Sequence, residues 1–205
     1  MNMNNYKFKQ LLVRYRTMLT VGIFFVCLAG FFIFYRTVQC DKPLLAFTIA
    51  DFESERDLLL IKTENAQIEA SSSYATSGSR SLCVHFSGGV TLSSVSIEAP
   101  FSSIPHYSSW SQSSTLNFTL HGSSPENERL ILQIKDTKGA RFKHDIYLIP
   151  NSTAVFEIPV TTIAGYVDIR NINNLTLFRW NPKKSLTVFL DAIKLQPSPS
   201  QMRSH

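Results

Sequence analysis

Apolar and polar residues alternate with a period of two through most of the chain beyond residue 44. In RSLCVHF, Leu82, Val84 and Phe86 share one side; in TLNFTL, Leu116, Phe118 and Leu120 do so; in RLILQIKD, Leu130, Leu132 and Ile134 do so. Strict alternation places every second side chain on one face, so each segment predicts a half-buried β-strand. Further strands are expected at 44–52, 66–71, 92–98, 141–149, 153–158, 174–180 and 185–195. The result is about ten short strands separated by turn-forming stretches such as SGS, SGG, HGSSPEN, TKG, PNS and NPKK, the pattern of an all-β antiparallel β-sandwich, or jelly roll. No part of this region has a long helical period, and IPVTTIAGYVDIRNI has room for one helical turn at most. There is no internal repeat.

The N-terminal residues follow another pattern. TMLTVGIFFVCLAGFFIFY, residues 17–35, carries no charge over 19 residues, enough for a helix to cross about 30 Å of hydrocarbon. Lys7, Lys9, Arg14 and Arg16 precede it and Arg36 follows. That asymmetry predicts a cytoplasmic basic head at 1–16, a transmembrane helix at 17–35 and everything later outside the cytoplasm. A cleavable signal peptide is the rival reading, but YRTVQC offers no good cleavage site. The expected organisation is therefore a signal anchor, a linker at 36–43, a sandwich domain at 44–196 and a disordered Pro/Ser-rich tail at 197–205. This describes a single-pass membrane protein with its C-terminal domain periplasmic or extracellular.

Composition adjusts this picture in two places. A chain of 205 residues, 44% of them hydrophobic, supports one ordinary core. The formal charge of +5 is concentrated before residue 37, so it carries no nucleic-acid signature. Of the 3 cysteines, Cys27 lies in the apolar stretch. Cys40 and Cys83 remain, as a pair in an oxidising compartment or as two free thiols. No CxxC or Cys/His spacing suggests zinc.

The order of DFESERDLLLIKTENAQIEASSSYATSGSRSLCVHF, YSSW, STLNFTL, LILQIKDTKG and LTVFLDAIKL resembles the galactose-binding-like jelly rolls of non-catalytic carbohydrate-binding modules, over nearly all of 45–196. That resemblance implies that the first and last strands meet, with a structural calcium at their edge. The matching positions are Asp51, Glu53, the turn at Ser77 to Ser79, and Asp191. Calcium takes six to eight oxygens and neutralises carboxylates that are costly to bury alone. The alternative is that Asp191 accepts hydrogen bonds from turn amides, or pairs with Arg80, with no metal. Trp110 resembles the structural tryptophan these modules carry ahead of a central strand. Related folds also occur in assembly factors resembling the complex I intermediate-associated family, which implies a protein partner instead.

Sugar binding needs a flat aromatic face with polar groups at its edge. Residues opposite the core alternation supply Tyr147 with Lys143 and Asp145, then Phe178 with Trp180, and Phe189; Arg141, His144 and Arg179 are candidate partners for sugar hydroxyls. Hydrolysis would need two facing carboxylates. Asp136 and Asp145 around the DTKGARFKH hairpin, and Glu126 and Glu128 in a loop expected to be solvated, read better as turn formers or surface charges. No GxSxG, HExxH, phosphate-loop or dinucleotide fingerprint occurs. Asn117, Asn151 and Asn174 head Asn-x-Ser/Thr triplets. The expectation is a membrane-anchored, non-enzymatic module that binds a glycan or cell-envelope polysaccharide. A protein-interaction or sensory module beside a membrane-protein partner is the alternative.

Overall fold

The computed structural model describes residues 46–98 and 109–197. The basic head, the apolar stretch, the linker, Cys27, Cys40 and the tail beyond Pro197 lie outside the described residues. Among those described, no helix is long and apolar enough to cross a membrane.

Leu82, Val84 and Phe86 are almost fully buried, as are Leu116, Phe118, Leu120, Leu130, Leu132 and Ile134. Each set lies on one face of its strand, and the faces meet in a single apolar core. Burying a side chain of this size stabilises by about 1.5–3 kcal/mol relative to exposure, so the alternation decides which face each strand turns inward.

Among the described residues, eleven strands build two antiparallel sheets. They are β1 (Phe47–Ala50), β2 (Ile61–Glu64), β3 (Ala66–Ser71), β4 (Ser81–Phe86), β5 (Leu92–Ile97), β6 (Ser113–Gly122), β7 (Glu128–Asp136), β8 (Arg141–Leu148), β9 (Ser152–Pro159), β10 (Ile172–Trp180) and β11 (Leu186–Pro197). The first sheet runs β3-β4-β11-β6-β9 with β1 also on β11, and the second runs β2-β5-β10-β7-β8. Together they form the expected all-β sandwich. The first and last strands meet, with Phe47 opposite Leu195 and Thr48 opposite Lys194.

Among the described residues, two short helices interrupt the strands: α1 (Glu55–Leu59) and α2 (Val160–Ala164). The second fits the single turn expected there, its Val160 and Ile163 closing one end of the core. The first was not foreseen, and neither was β2, an edge strand whose Lys62, Thr63 and Glu64 are exposed. Trp110 is fully buried.

β11 carries a bulge. Asp191 pairs with Thr119 and Lys194 with Asn117, leaving two residues opposite Phe118, and Ala192 adopts a φ of 55°. The inward set therefore changes parity, from Val188 and Leu190 to Ile193 and Leu195. Asp191 falls at the switch.

Candidate functional site

Leu175 and Leu177 of β10 fill the core, so Thr176, Phe178 and Trp180 face outward from the second sheet. Strand register gathers polar neighbours around them. Ser94 lies beside Phe178 and Ser96 beside Thr176; Gln133 flanks Thr176 from the other side, and Lys143 flanks Gln133. These residues line a cleft of about 330 Å3, within the usual range for small-ligand sites.

The cleft has an aromatic end and polar edges. Trp180 is 61% exposed, whereas Phe178 is 8% exposed and forms floor. Lys143 Nζ lies 5.9 Å from the Phe178 ring centroid, in range for a cation–π contact. Ser96 and Thr176 join their hydroxyls at 2.9 Å beneath the opening. Asn174 also lines the cleft, and its Oδ1 is buried with no hydrogen-bond partner. Glu64 and Glu98 stand on the β2–β5 side, Arg141 and Lys143 on the β8 side. Glu98 is paired with Lys62.

Of the residues expected to bind ligand, Trp180, Phe178 and Arg141 come together here. Tyr147 shares the outward face of β8, level with Arg129, and is 65% exposed, but does not line the cleft. His144 has the opposite parity: it follows Phe142 and stacks on that ring at 6.3 Å. Arg179 points inward, donating to Glu128 Oε2 at 2.8 Å and to the Lys184 carbonyl at 2.7 Å. Phe189 belongs to the first sheet, packed beside Tyr74 and His121. The cleft adds Gln133, Asn174, Glu64 and Glu98, which the sequence reading passed over. Their signal was available in the same non-core register, where Ser94 and Ser96 alternate with Val95 and Ile97.

The carboxylates at the β1–β11 edge are held by protein donors. Glu53 Oε1 accepts the Ser79 and Arg80 amides at 2.8 and 2.9 Å, and Oε2 accepts the Ser79 hydroxyl at 2.8 Å. Those bonds, the Arg80 amide foremost, lower the Glu53 pKa. Gly78, at φ 83°, lets the turn pass directly over the Glu53 carboxylate, where a Cβ would collide with it. Asp191 Oδ2 accepts the Thr76 amide at 2.6 Å, the Thr76 hydroxyl at 2.8 Å and the Ser77 amide at 2.8 Å. Arg80 pairs with Glu55, and the Ser77 hydroxyl accepts from Lys194 Nζ at 2.8 Å. Both Glu53 oxygens are already engaged, but Asp191 Oδ1 is buried without a partner. Asp51 Oδ1 accepts the Glu53 amide at 3.3 Å, and its carboxylate lies close enough to raise the Asp57 pKa, second to burial.

The carboxylates considered for hydrolysis are each committed elsewhere. Asp136 is 2% exposed and accepts the Lys138, Ala140 and Asp168 amides, each at 2.9 Å; the Asp168 amide contributes most to lowering its pKa. Asp145 pairs with Arg129, and Glu126 with Lys184. Glu128, expected in solvent, has its side chain largely buried against Arg179. Cys83 is a free, buried thiol, pushed up to about 11 by burial and then by Glu69.

No family model and no curated protein matches this sequence. Solved structures do match in fold. A family 11 carbohydrate-binding module from Clostridium thermocellum, in complex with a β-1,3-1,4-mixed-linked tetrasaccharide, aligns with TM-score 0.58 and 17% identity over 75% of this chain and 96% of its own. An exo-β-agarase aligns with TM-score 0.60 and 17% identity over 75% of this chain but 25% of its own. The CBM22-1 xylan-binding domain of Paenibacillus barcinonensis Xyn10C aligns with TM-score 0.50 and 12% identity, covering 75% and 93%. The chain thus spans about a quarter of the agarase (25%) and nearly all of the two carbohydrate-binding modules (96% and 93%). At these identities the shared property is the jelly-roll fold.

Proposed function

We propose that the sandwich is a non-catalytic glycan-binding module whose site is the outer cleft of the second sheet. One observation carries the reading: the exposed Trp180 ring stands at the end of a cleft edged by hydrogen-bonding side chains. A pyranose lays its C–H face on an aromatic ring while its hydroxyls seek polar groups at the rim. Lys143, Arg141, Gln133 and Glu64 offer both donors and acceptors there. The fold likeness to modules described in complex with a mixed-linked glucan tetrasaccharide, or as xylan-binding, supports the same class of ligand.

The wider proposal is a membrane-anchored protein. Residues 17–35 span the bilayer, the sandwich is periplasmic or extracellular, and the ligand is a glycan or envelope polysaccharide. A structural calcium on Asp191 Oδ1 and Asp51 belongs to the same proposal. A glycan array probed with the full chain, alongside Trp180→Ala, tests the binding reading. Signal lost in the variant supports it. No glycan signal, with co-purification of an envelope protein, transfers the face to the interaction reading.

A further inference from the structure

The outer face of the first sheet carries a second constellation, separate from the cleft. Glu69 of β3 is the cross-strand partner of Cys83 in β4, and His85 lies two residues further along the same face. The Glu69, Cys83 and His85 ligand atoms all lie within 4.8 Å of one another, the one such group of possible metal ligands among the described residues.

Its geometry converges on a single atom. Cys83 Sγ and Glu69 Oε1 each lie 3.5 Å from His85 Nε2. The thiol and the carboxylate thus flank the same ring nitrogen at equal distance. A tetrahedral zinc ion would serve all three. With Zn–S about 2.3 Å and Zn–N or Zn–O about 2.0–2.2 Å, tetrahedral angles set S···N and O···N separations at about 3.4–3.6 Å. The other ring nitrogen is already fixed, since His85 Nδ1 lies 2.9 Å from Thr187 Oγ1 in β11. With Nδ1–H donating to that hydroxyl, Nε2 presents its lone pair to the ligand cluster, the outer-shell arrangement that orients metal-bound histidines.

We propose that Glu69, Cys83 and His85 bind a divalent ion of the zinc class. The donor set of one thiolate, one imidazole and one carboxylate suits borderline-soft zinc and disfavours calcium or magnesium. Glu69 and His85 side chains are 66% and 46% exposed, so the ion enters from solvent and water takes the fourth position. Binding ties β3, an edge strand, to β4 and, through Thr187, to central β11. No linear spacing announces the site because its third ligand comes from the neighbouring strand.

The test is Co2+ titration of the full chain with Cys27→Ser and Cys40→Ser, leaving Cys83 as the only thiol. One equivalent should produce a sulfur-to-cobalt charge-transfer band, which Zn2+ then abolishes by displacement. Cys83→Ser should remove the band. His85→Ala and Glu69→Gln, both at exposed positions, should each weaken binding at least tenfold, and Thr187→Val by about 10- to 100-fold through loss of ring orientation. Circular dichroism establishes that each protein is folded. A folded parent chain giving no thiolate band, or unchanged affinity in both His85→Ala and Glu69→Gln, overturns the proposal.

Discussion

Arg179 and Glu128 meet at 2.8 Å on the inward side of the second sheet, with side chains only 8% and 13% exposed. Arg179 also donates to the Lys184 carbonyl at 2.7 Å, so one guanidinium links β10, the start of β7 and the turn before β11. The adjacent Trp180 faces the opposite way, into the cleft. The ion pair therefore anchors the strand end that presents the aromatic platform.

Removing one partner leaves the other charge buried without compensation, at a cost of about 3–5 kcal/mol. Arg179→Ala and Glu128→Ala should each show a loss of this order in urea unfolding. The double variant should lose less than the sum of the two.

Asp136 supplies a pH dependence. Its folded pKa lies below the ordinary 3.8 because backbone amides, that of Asp168 first, favour the carboxylate. A depressed folded pKa gives stability that is present above pH 3.8 and lost as pH falls through the folded value. Wild type should therefore exceed Asp136→Asn in stability at neutral pH, and the gap should narrow below pH 3.8. A constant gap across that range would contradict the assignment.

Gly78 predicts a local failure. At φ 83°, with the Glu53 carboxylate where a Cβ would sit, Gly78→Ala both strains the backbone and displaces Glu53 from the Ser79 and Arg80 amides. Destabilisation should exceed about 1 kcal/mol. Gly89→Ala, at φ 73° with open space around it, should cost less in the same unfolding assay.

The calcium proposal predicts that a chelator lowers the Tm, that added calcium restores it, and that Asp191→Ala abolishes the response. An unchanged melt would leave Asp191 as the acceptor of the Thr76 and Ser77 amides alone.

Strand identity was legible because burial enforces parity: Leu82, Val84 and Phe86 read as one face and are one face. β2 was not, since its exposed edge carries little alternation, and α1 is too short to display a period. Parity also does not say to which sheet a strand belongs. Phe178, Trp180 and Phe189 all read as outward, yet Phe189 faces outward from the other sheet. His144 lies off the cleft because it shares parity with buried Phe142 and Ile146, although its own side chain is exposed. Asp191 made sense only once the bulge at Ala192 and the loop at Thr76 to Ser77 were visible.

The most direct test of the glycan-binding account is calorimetric titration of the full chain and of Trp180→Ala with the best glycan from the array. The account predicts saturable binding by the wild type and at least a tenfold weaker affinity in the variant, with matching circular dichroism spectra. Equal affinity in the two proteins, or no glycan bound by the wild type, would contradict it.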